Sequence, residues 1–270
     1  MSEVTKRVRV RHFAQAKQSG TKIVGLTSYD FLTAGLFDQA EVDFLLVGDS
    51  AGNVVFGHDT TVPTTTDELI PLTRAVVRAA KRALVVADLP FGSYESGTDD
   101  ALHTAVRFMK ETGAHAVKLE GGVRSGAQIE RLVQSGIPVM AHIGYTPQSE
   151  HGLGGHVVQG RGAGRDSFLA DAKAVEAAGA FAVVIEMVPE ALAKEATEML
   201  SIPTIGIGAG RHTDGQILVW TDLVGLNTGR VPRFVKQYAQ IGQQLIDSVS
   251  TWRDEVRSGA FPDDSHVFDD

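Results

Sequence analysis

The sequence predicts a single (β/α)8 TIM barrel, and three observations carry that prediction. Short apolar runs alternate with helix-patterned segments over all 270 residues, giving eight strand-like runs. Five of these runs end in an ionisable group. The run Val42-Asp43-Phe44-Leu45-Leu46-Val47-Gly48 delivers Asp49 and Ser50, 84–87 delivers Asp88, 114–117 delivers Lys118 and then Glu120, 139–141 delivers His142, and 182–185 delivers Glu186. Finally, Thr27-Ser28-Tyr29-Asp30 follows the first strand where a doubly wound open sheet would place a glycine-rich phosphate loop.

Taken in order, residues 1–20 lack the unbroken apolar segment of a signal peptide and read as a helix. Val10, Phe13, Ala14 and Lys17 fall at helical spacing, Gly20 stops the helix, and Lys6, Arg7, Arg9 and Arg11 read as a solvated face. Residues 22–27 form the first strand, 31–40 a short helix, and 42–48 the second strand. The polar loop 53–66 suits a flap over a site. Thr66 then caps a helix to about residue 81, with Asp67 and Glu68 at the positive end of its dipole. A third strand over 83–87 leads to a helix over 99–113, a fourth over 114–119 to a helix over 125–136, and a fifth covers 137–142.

The loop 143–165 is the longest, and its Gly152, Gly154, Gly155, Gly160, Gly162 and Gly164 suit a lid rather than a packed core. A helix over 166–179, a strand over 181–186, a helix over 189–200 opened by Pro189, and strands over 203–207 and 216–221 complete the barrel. So few residues separate the last two strands that the usual helix between them is missing or reduced. A closing helix over 232–256 and a tail follow, and no linker divides residues 1–270 into domains.

Composition excludes several classes. A net charge of −8 and a pI near 5.6 oppose a nucleic-acid binder. With no cysteine there is no disulfide, thiolate metal site or cysteine nucleophile, a composition that fits a cytoplasmic enzyme. No apolar run is long enough to span a bilayer.

Barrel strands converge at their C-terminal ends, so the five ionisable ends are expected to meet there. Each acid alone is more often a cap or an ion-pair partner; convergence favours function. Asp49, Asp88 and Glu120 offer oxygen ligands that suit Mg²⁺ better than Zn²⁺. Lys118, on the same strand face as Glu120, suits either neutralisation of these acids or an oxyanion on the substrate. Ser50 suits a substrate carboxylate, and no Gly-x-Ser-x-Gly turn makes it a nucleophile. His142 alone is ambiguous. Glu186 lies between Ala182-Val183-Val184-Ile185 and Met187-Val188-Pro189, an apolar setting that suits a proton acceptor. Gly206-Ile207-Gly208-Ala209-Gly210 is a weak phosphate-loop signal and reads as close packing at the mouth. These residues support metal-assisted enolate chemistry on a small oxo-acid.

The pattern resembles the ketopantoate hydroxymethyltransferase family over nearly the whole chain. The segments that carry the resemblance are Leu26-Thr27-Ser28-Tyr29-Asp30, Val47-Gly48-Asp49-Ser50, Asp88-Leu89-Pro90-Phe91, Val117-Lys118-Leu119-Glu120-Gly121-Gly122, His142-Ile143-Gly144-Tyr145-Thr146-Pro147-Gln148, Gly206 to Gly210, and Asp214-Gly215-Gln216. The resemblance implies a Mg²⁺ enzyme that transfers a hydroxymethyl group from 5,10-methylenetetrahydrofolate to 3-methyl-2-oxobutanoate. It implies direct metal ligation by Asp49 and Asp88 with support from Glu120, substrate binding by Ser50 and Lys118 with His142 beside them, and Glu186 as the base at C3. It further implies a homo-oligomer, a decamer, with no nucleic-acid or membrane partner. Ser28, Leu72 and Tyr145 stand where alanine, histidine and leucine are common in the family. The rival readings are a Mg²⁺-dependent lyase or mutase of the phosphoenolpyruvate mutase and isocitrate lyase type, and a catalytically silent barrel.

Overall fold

A computed structural model describes residues 6–227, 229 and 231–268. Eight parallel strands close on themselves in chain order: β1 (Ile23–Thr27), β2 (Phe44–Val47), β3 (Leu84–Asp88), β4 (Ala116–Glu120), β5 (Val139–Gly144), β6 (Ala182–Glu186), β7 (Thr204–Ile207) and β8 (Gly215–Leu218). Closure pairs β1 with β8, from Ile23 opposite Gly215 to Leu26 opposite Leu218, so no strand edge is left open. Helices pack outside the strands, which buries β2 to β5 on both faces and makes them read as continuous apolar runs.

Alternation still decides what faces the interior. Ile23, Phe44, Leu46, Leu84, Val86, Ala116, Met140, Ala182, Val184, Ile205 and Ile217 belong to one buried cluster. Two residues beyond Val86 stands Asp88; beyond Ala116 come Lys118 and then Glu120; beyond Met140, His142; beyond Val184, Glu186. Each of these interior columns therefore runs from apolar at the foot to ionisable at the top. The N-terminal helix Val10–Ser19 closes the foot, with Phe13 buried and its ring centroid 5.7 Å from Phe44 and 5.2 Å from Phe181. Gly25 makes room for this plug, since a Cβ there would collide with the Phe44 ring.

Several element ends differ from the sequence expectation. Thr65, not Thr66, caps the helix Thr66–Ala79: its Oγ1 accepts the Glu68 N–H at 3.3 Å while Glu68 Oε2 accepts the Thr65 N–H at 2.8 Å. β8 ends at Leu218, and the flap region begins with a helical turn, Ala51–Val54. Part of the expected lid is ordered into a 3₁₀ turn, Pro147–Ser149, and a helical turn, Glu150–Leu153, ended by Gly154 at φ 75°.

The chain divides into two compact units, Met1–Val219 and Trp220–Asp270. In the second, the closing helix is Ile241–Ser258 and does not begin at 232. The Tyr238 and Ile241 N–H groups donate to Leu223 and Val224 carbonyls at 2.8 and 3.0 Å, so this stretch spends its backbone donors sideways.

Candidate active site

The strand register brings the ionisable ends together, with Asp88 opposite Lys118, Glu120 opposite His142, and Gly144 opposite Glu186. Lys118 Nζ lies 2.8 Å from Asp88 Oδ1 and 3.4 Å from His142 Nδ1. His142 then spans two acids, with Nδ1 3.4 Å from Glu120 Oε1 and Nε2 3.2 Å from Glu186 Oε2. Asp88 Oδ1, Glu120 Oε1 and His142 Nε2 nonetheless lack an aligned hydrogen bond, so these are contacts between charges. Asp88, Lys118, Glu120 and His142 are buried, whereas the Glu186 side chain is 15% exposed.

Two glycines permit this approach. Gly144, at φ 92°, passes so close to β6 that a Cβ would collide with the Glu186 carbonyl oxygen. At Gly48 a Cβ would lie 2.9 Å from Ser50 Oγ. The chain turns there, so that the Asp49 N–H donates to Asp88 Oδ2 at 3.2 Å and Ser50 Oγ shares a hydrogen bond with Tyr29 Oη at 2.7 Å.

Neighbours and burial pull the titrations apart. Burial raises Asp49 well above the usual carboxylate range, helped by Asp88 and Glu120 and opposed by Lys118 and Gln148. Burial likewise raises Asp88 despite Lys118 beside it. For Glu120, burial acts upward, but His142, Lys118 and the Gln148 N–H outweigh it and bring the group below its ordinary value. Burial opposes charge on Lys118, yet Asp88, Glu120 and Asp49 hold it above its ordinary value. His142 is pushed up to about 9, because Glu120 and Glu186 outweigh burial and Lys118. Acids outnumber cations in this cluster.

The model of a family described as ketopantoate hydroxymethyltransferase matches residues 7–264. The chain belongs to the ketopantoate hydroxymethyltransferase family. It is 67% identical over 97% of its length to the 3-methyl-2-oxobutanoate hydroxymethyltransferase of Leifsonia xyli, covering 95% of that protein. With the enzyme of the same name from Corynebacterium glutamicum it shares 59% identity, over 97% of this chain and 98% of the relative. Among solved structures it resembles a phosphonopyruvate hydrolase complexed with oxalate and Mg²⁺, with TM-score 0.63 and 13% identity over 96% of this chain and 91% of the other. It also resembles a phosphoenolpyruvate phosphomutase from Streptomyces platensis, with TM-score 0.62 and 16% identity over 97% and 92%. At those identities the likeness is one of fold.

Within this member of the hydroxymethyltransferase family, three side chains join the cluster without having been assigned a role from sequence: Tyr29 on Ser50, and Tyr94 and Gln148 behind Asp49 and Glu120. Gln148 sits in a motif that carries the family resemblance; nothing in the sequence around Tyr94 marks it. Glu186 departs from expectation, because its neighbour is the His142 ring and not only apolar groups. Tyr145 is buried, its ring stacked on His156 at 5.2 Å, and its hydroxyl has no hydrogen-bond partner among the described residues.

Among the described residues no three His, Asp or Glu side chains close into a metal-ligand group. Asp88 leans on Lys118, Asp49 accepts from Gln148, and Glu120 accepts from the Gln148 N–H. Mg²⁺ keeps several waters and needs only one or two carboxylates. The buried Asp88 carboxylate, whose Oδ1 has only the Lys118 ion pair, and the acid-rich cluster around Asp49 fit that requirement, with Glu120 one step removed.

Proposed function

We propose that the chain transfers a hydroxymethyl group from 5,10-methylenetetrahydrofolate to 3-methyl-2-oxobutanoate, giving 2-dehydropantoate as a precursor of pantothenate. Membership of the family supports the reaction. The observation that supports the residue roles is the contrast between Glu186, partly open to the mouth, and the buried acid–lysine–histidine cluster it touches through His142.

Asp49 and Asp88 would hold Mg²⁺, with Glu120 behind them, and the ion when bound supplies electron withdrawal from the 2-oxo group. The chain's own groups do the rest. Ser50, steadied by Tyr29, binds the substrate carboxylate through its hydroxyl and backbone amide. Lys118 places a fixed positive charge beside the developing oxyanion. The Glu186 carboxylate removes the C3 proton, and His142 holds that carboxylate from behind. The resulting carbon nucleophile bonds to the folate-borne methylene carbon as one carbon–nitrogen bond to the folate opens; water then replaces the second carbon–nitrogen bond to supply the product hydroxyl, and tetrahydrofolate leaves carrying the C3 proton and one proton of that water. The 143–165 loop, rooted in the site through Gln148, suits the task of keeping bulk water from the carbon nucleophile until it has bonded to the methylene carbon.

A homo-oligomer, decameric as in the family resemblance, and a cytoplasmic location belong to the same reading. Leu245, Ile246, Val249, Trp252 and Val256 stand exposed on the closing helix and support self-association. No described helix is long and apolar enough to cross a membrane.

The test is proton exchange at C3 of 3-methyl-2-oxobutanoate, followed by NMR in D₂O with Mg²⁺, with EDTA, and then with methylenetetrahydrofolate. Metal-dependent exchange followed by folate-dependent 2-dehydropantoate supports the reading. Folded protein that gives neither overturns it, and the lyase or mutase alternative is then assayed.

A further inference from the structure

Behind the acids lies a closed set of hydrogen bonds that the reaction as described does not use. Tyr94 and Gln148 are both buried. The Tyr94 hydroxyl accepts the Glu120 N–H at 3.2 Å and donates to Gln148 Oε1 at 2.6 Å. Gln148 Nε2 donates to Asp49 Oδ2 at 2.8 Å and to the Leu89 carbonyl at 3.0 Å, while its backbone N–H donates to Glu120 Oε2 at 3.1 Å. Reversing the amide would set its oxygen against two acceptors, Asp49 Oδ2 and the Leu89 carbonyl, so these two fix its orientation.

We propose that Tyr94 and Gln148 are positioning residues acting in series on Asp49: Tyr94 fixes the Gln148 side-chain amide, and that amide fixes the Asp49 carboxylate, while the Gln148 backbone N–H holds Glu120. The inference rests on the proposed function in that Asp49 is taken as a cation ligand. With Oδ2 held from behind, Asp49 can turn only its other oxygen toward the mouth. The same residue ties the start of the glycine-rich loop to the acids, since Gln148 lies in the turn Pro147–Ser149. Neither residue touches the substrate in this account; both act through the two acids.

The experiment is Mn²⁺ binding, read by the EPR signal of the free ion, for wild type, Gln148→Met, Tyr94→Phe and the double variant, with thermal melts alongside. Gln148→Met keeps the side-chain shape and removes the donor; Tyr94→Phe removes one hydroxyl and keeps the ring. Outer-shell partners of this kind cost about 10- to 100-fold in metal affinity, so Gln148→Met should weaken Mn²⁺ by that range and Tyr94→Phe by about tenfold. In a series the double variant binds no more weakly than Gln148→Met alone. A purely structural role predicts lowered melting temperatures with unchanged Mn²⁺ affinity, and that result overturns the proposal. Additive losses overturn the serial arrangement. If wild type itself binds no Mn²⁺, the metal reading fails first; if wild type binds and both variants bind equally well, the positioning inference alone fails.

Discussion

His115 stands at the foot of β4 and His142 near the top of β5, and the two ends of the barrel treat them in opposite ways. His115 Nδ1 accepts the Val85 N–H at 2.9 Å, and burial, aided by Arg7 and Arg9, lowers its pKa to about 4. Burial acts the same way on His142, yet Glu120 and Glu186 carry it up to about 9. Neighbours, then, decide the charge, and the two ends differ in what neighbours they supply. At the foot, burial and the Arg7 and Arg9 charges make neutrality the favoured state. At the top, charges compensate one another and leave remainders. Among the described residues of the barrel unit, the buried hydroxyls of Ser28, Thr61 and Tyr145 that lack a hydrogen-bond partner, and the Asp88, Glu120 and His142 atoms held by ion pairs alone, all lie at strand tops or in the loops beyond them. Orphaned polar atoms gathered at one end mark where a ligand completes the protein.

Substitutions at the two ends should separate chemistry from stability. The largest effect is expected for Glu186→Gln, which should slow C3 proton exchange by roughly 10²- to 10⁴-fold with little change in melting temperature; unchanged exchange by NMR would remove Glu186 as the base. Next come two changes of similar cost in stability. Phe13→Ala should destabilise by about 3–5 kcal/mol through the cavity left in the plug, without altering exchange per folded molecule. Lys118→Met should cost about 3–5 kcal/mol by leaving Asp88 buried and unpaired, and should impair exchange as well, as denaturant melts and NMR on the same samples would show.

A smaller effect concerns pH. Because the folded pKa of His115, about 4, lies below its ordinary 6.5, the unfolded chain takes up the proton first, and stability rises with pH across that window. The contribution is present above pH 6.5 and lost as pH falls toward 4. His115→Asn, whose side-chain oxygen can accept the same N–H, should flatten the fall in melting temperature over that range relative to wild type. Smallest is Tyr145→Phe, which removes an unpartnered buried hydroxyl and should raise the stability of the ligand-free protein by about 1 kcal/mol. A lowered melting temperature would show instead that the hydroxyl has a partner.

The barrel was legible because its strands are buried runs bounded by turn residues, and the site because every second residue of a strand shares a face. Asp88, Lys118, Glu120, His142 and Glu186 follow directly from that alternation once the apolar columns are traced upward. What lay outside reach depends on loops crossing from other strands. Gln148 meets Asp49 from 99 positions away, and no spacing rule links them. Tyr94 reaches Glu120 and Gln148 from the loop after β3, with no periodic pattern to announce it. Adjacent threonines put the expected cap of Thr66–Ala79 one residue late, on Thr66; Thr65 takes the role by having the extended backbone of a cap. The closing helix was overextended toward 232 because composition does not reveal backbone donors spent on Leu223 and Val224.

The glycine-rich loop divides the chain's tolerance for sequence change. Gly144 has the Glu186 backbone against it, so a side chain there would displace the strand end that presents Glu186. Farther along, Gly152 and Gly164 face open space and have ordinary backbone angles, so they can accept side chains without collision. Sequence variation in this loop therefore has free positions at 152 and 164, while 144 to 149 are held by contacts with β6 and the acids. Evolutionary drift can thus accumulate at 152 and 164 while the contacts that join Gly144 to β6 and Gln148 to the acids stay as they are.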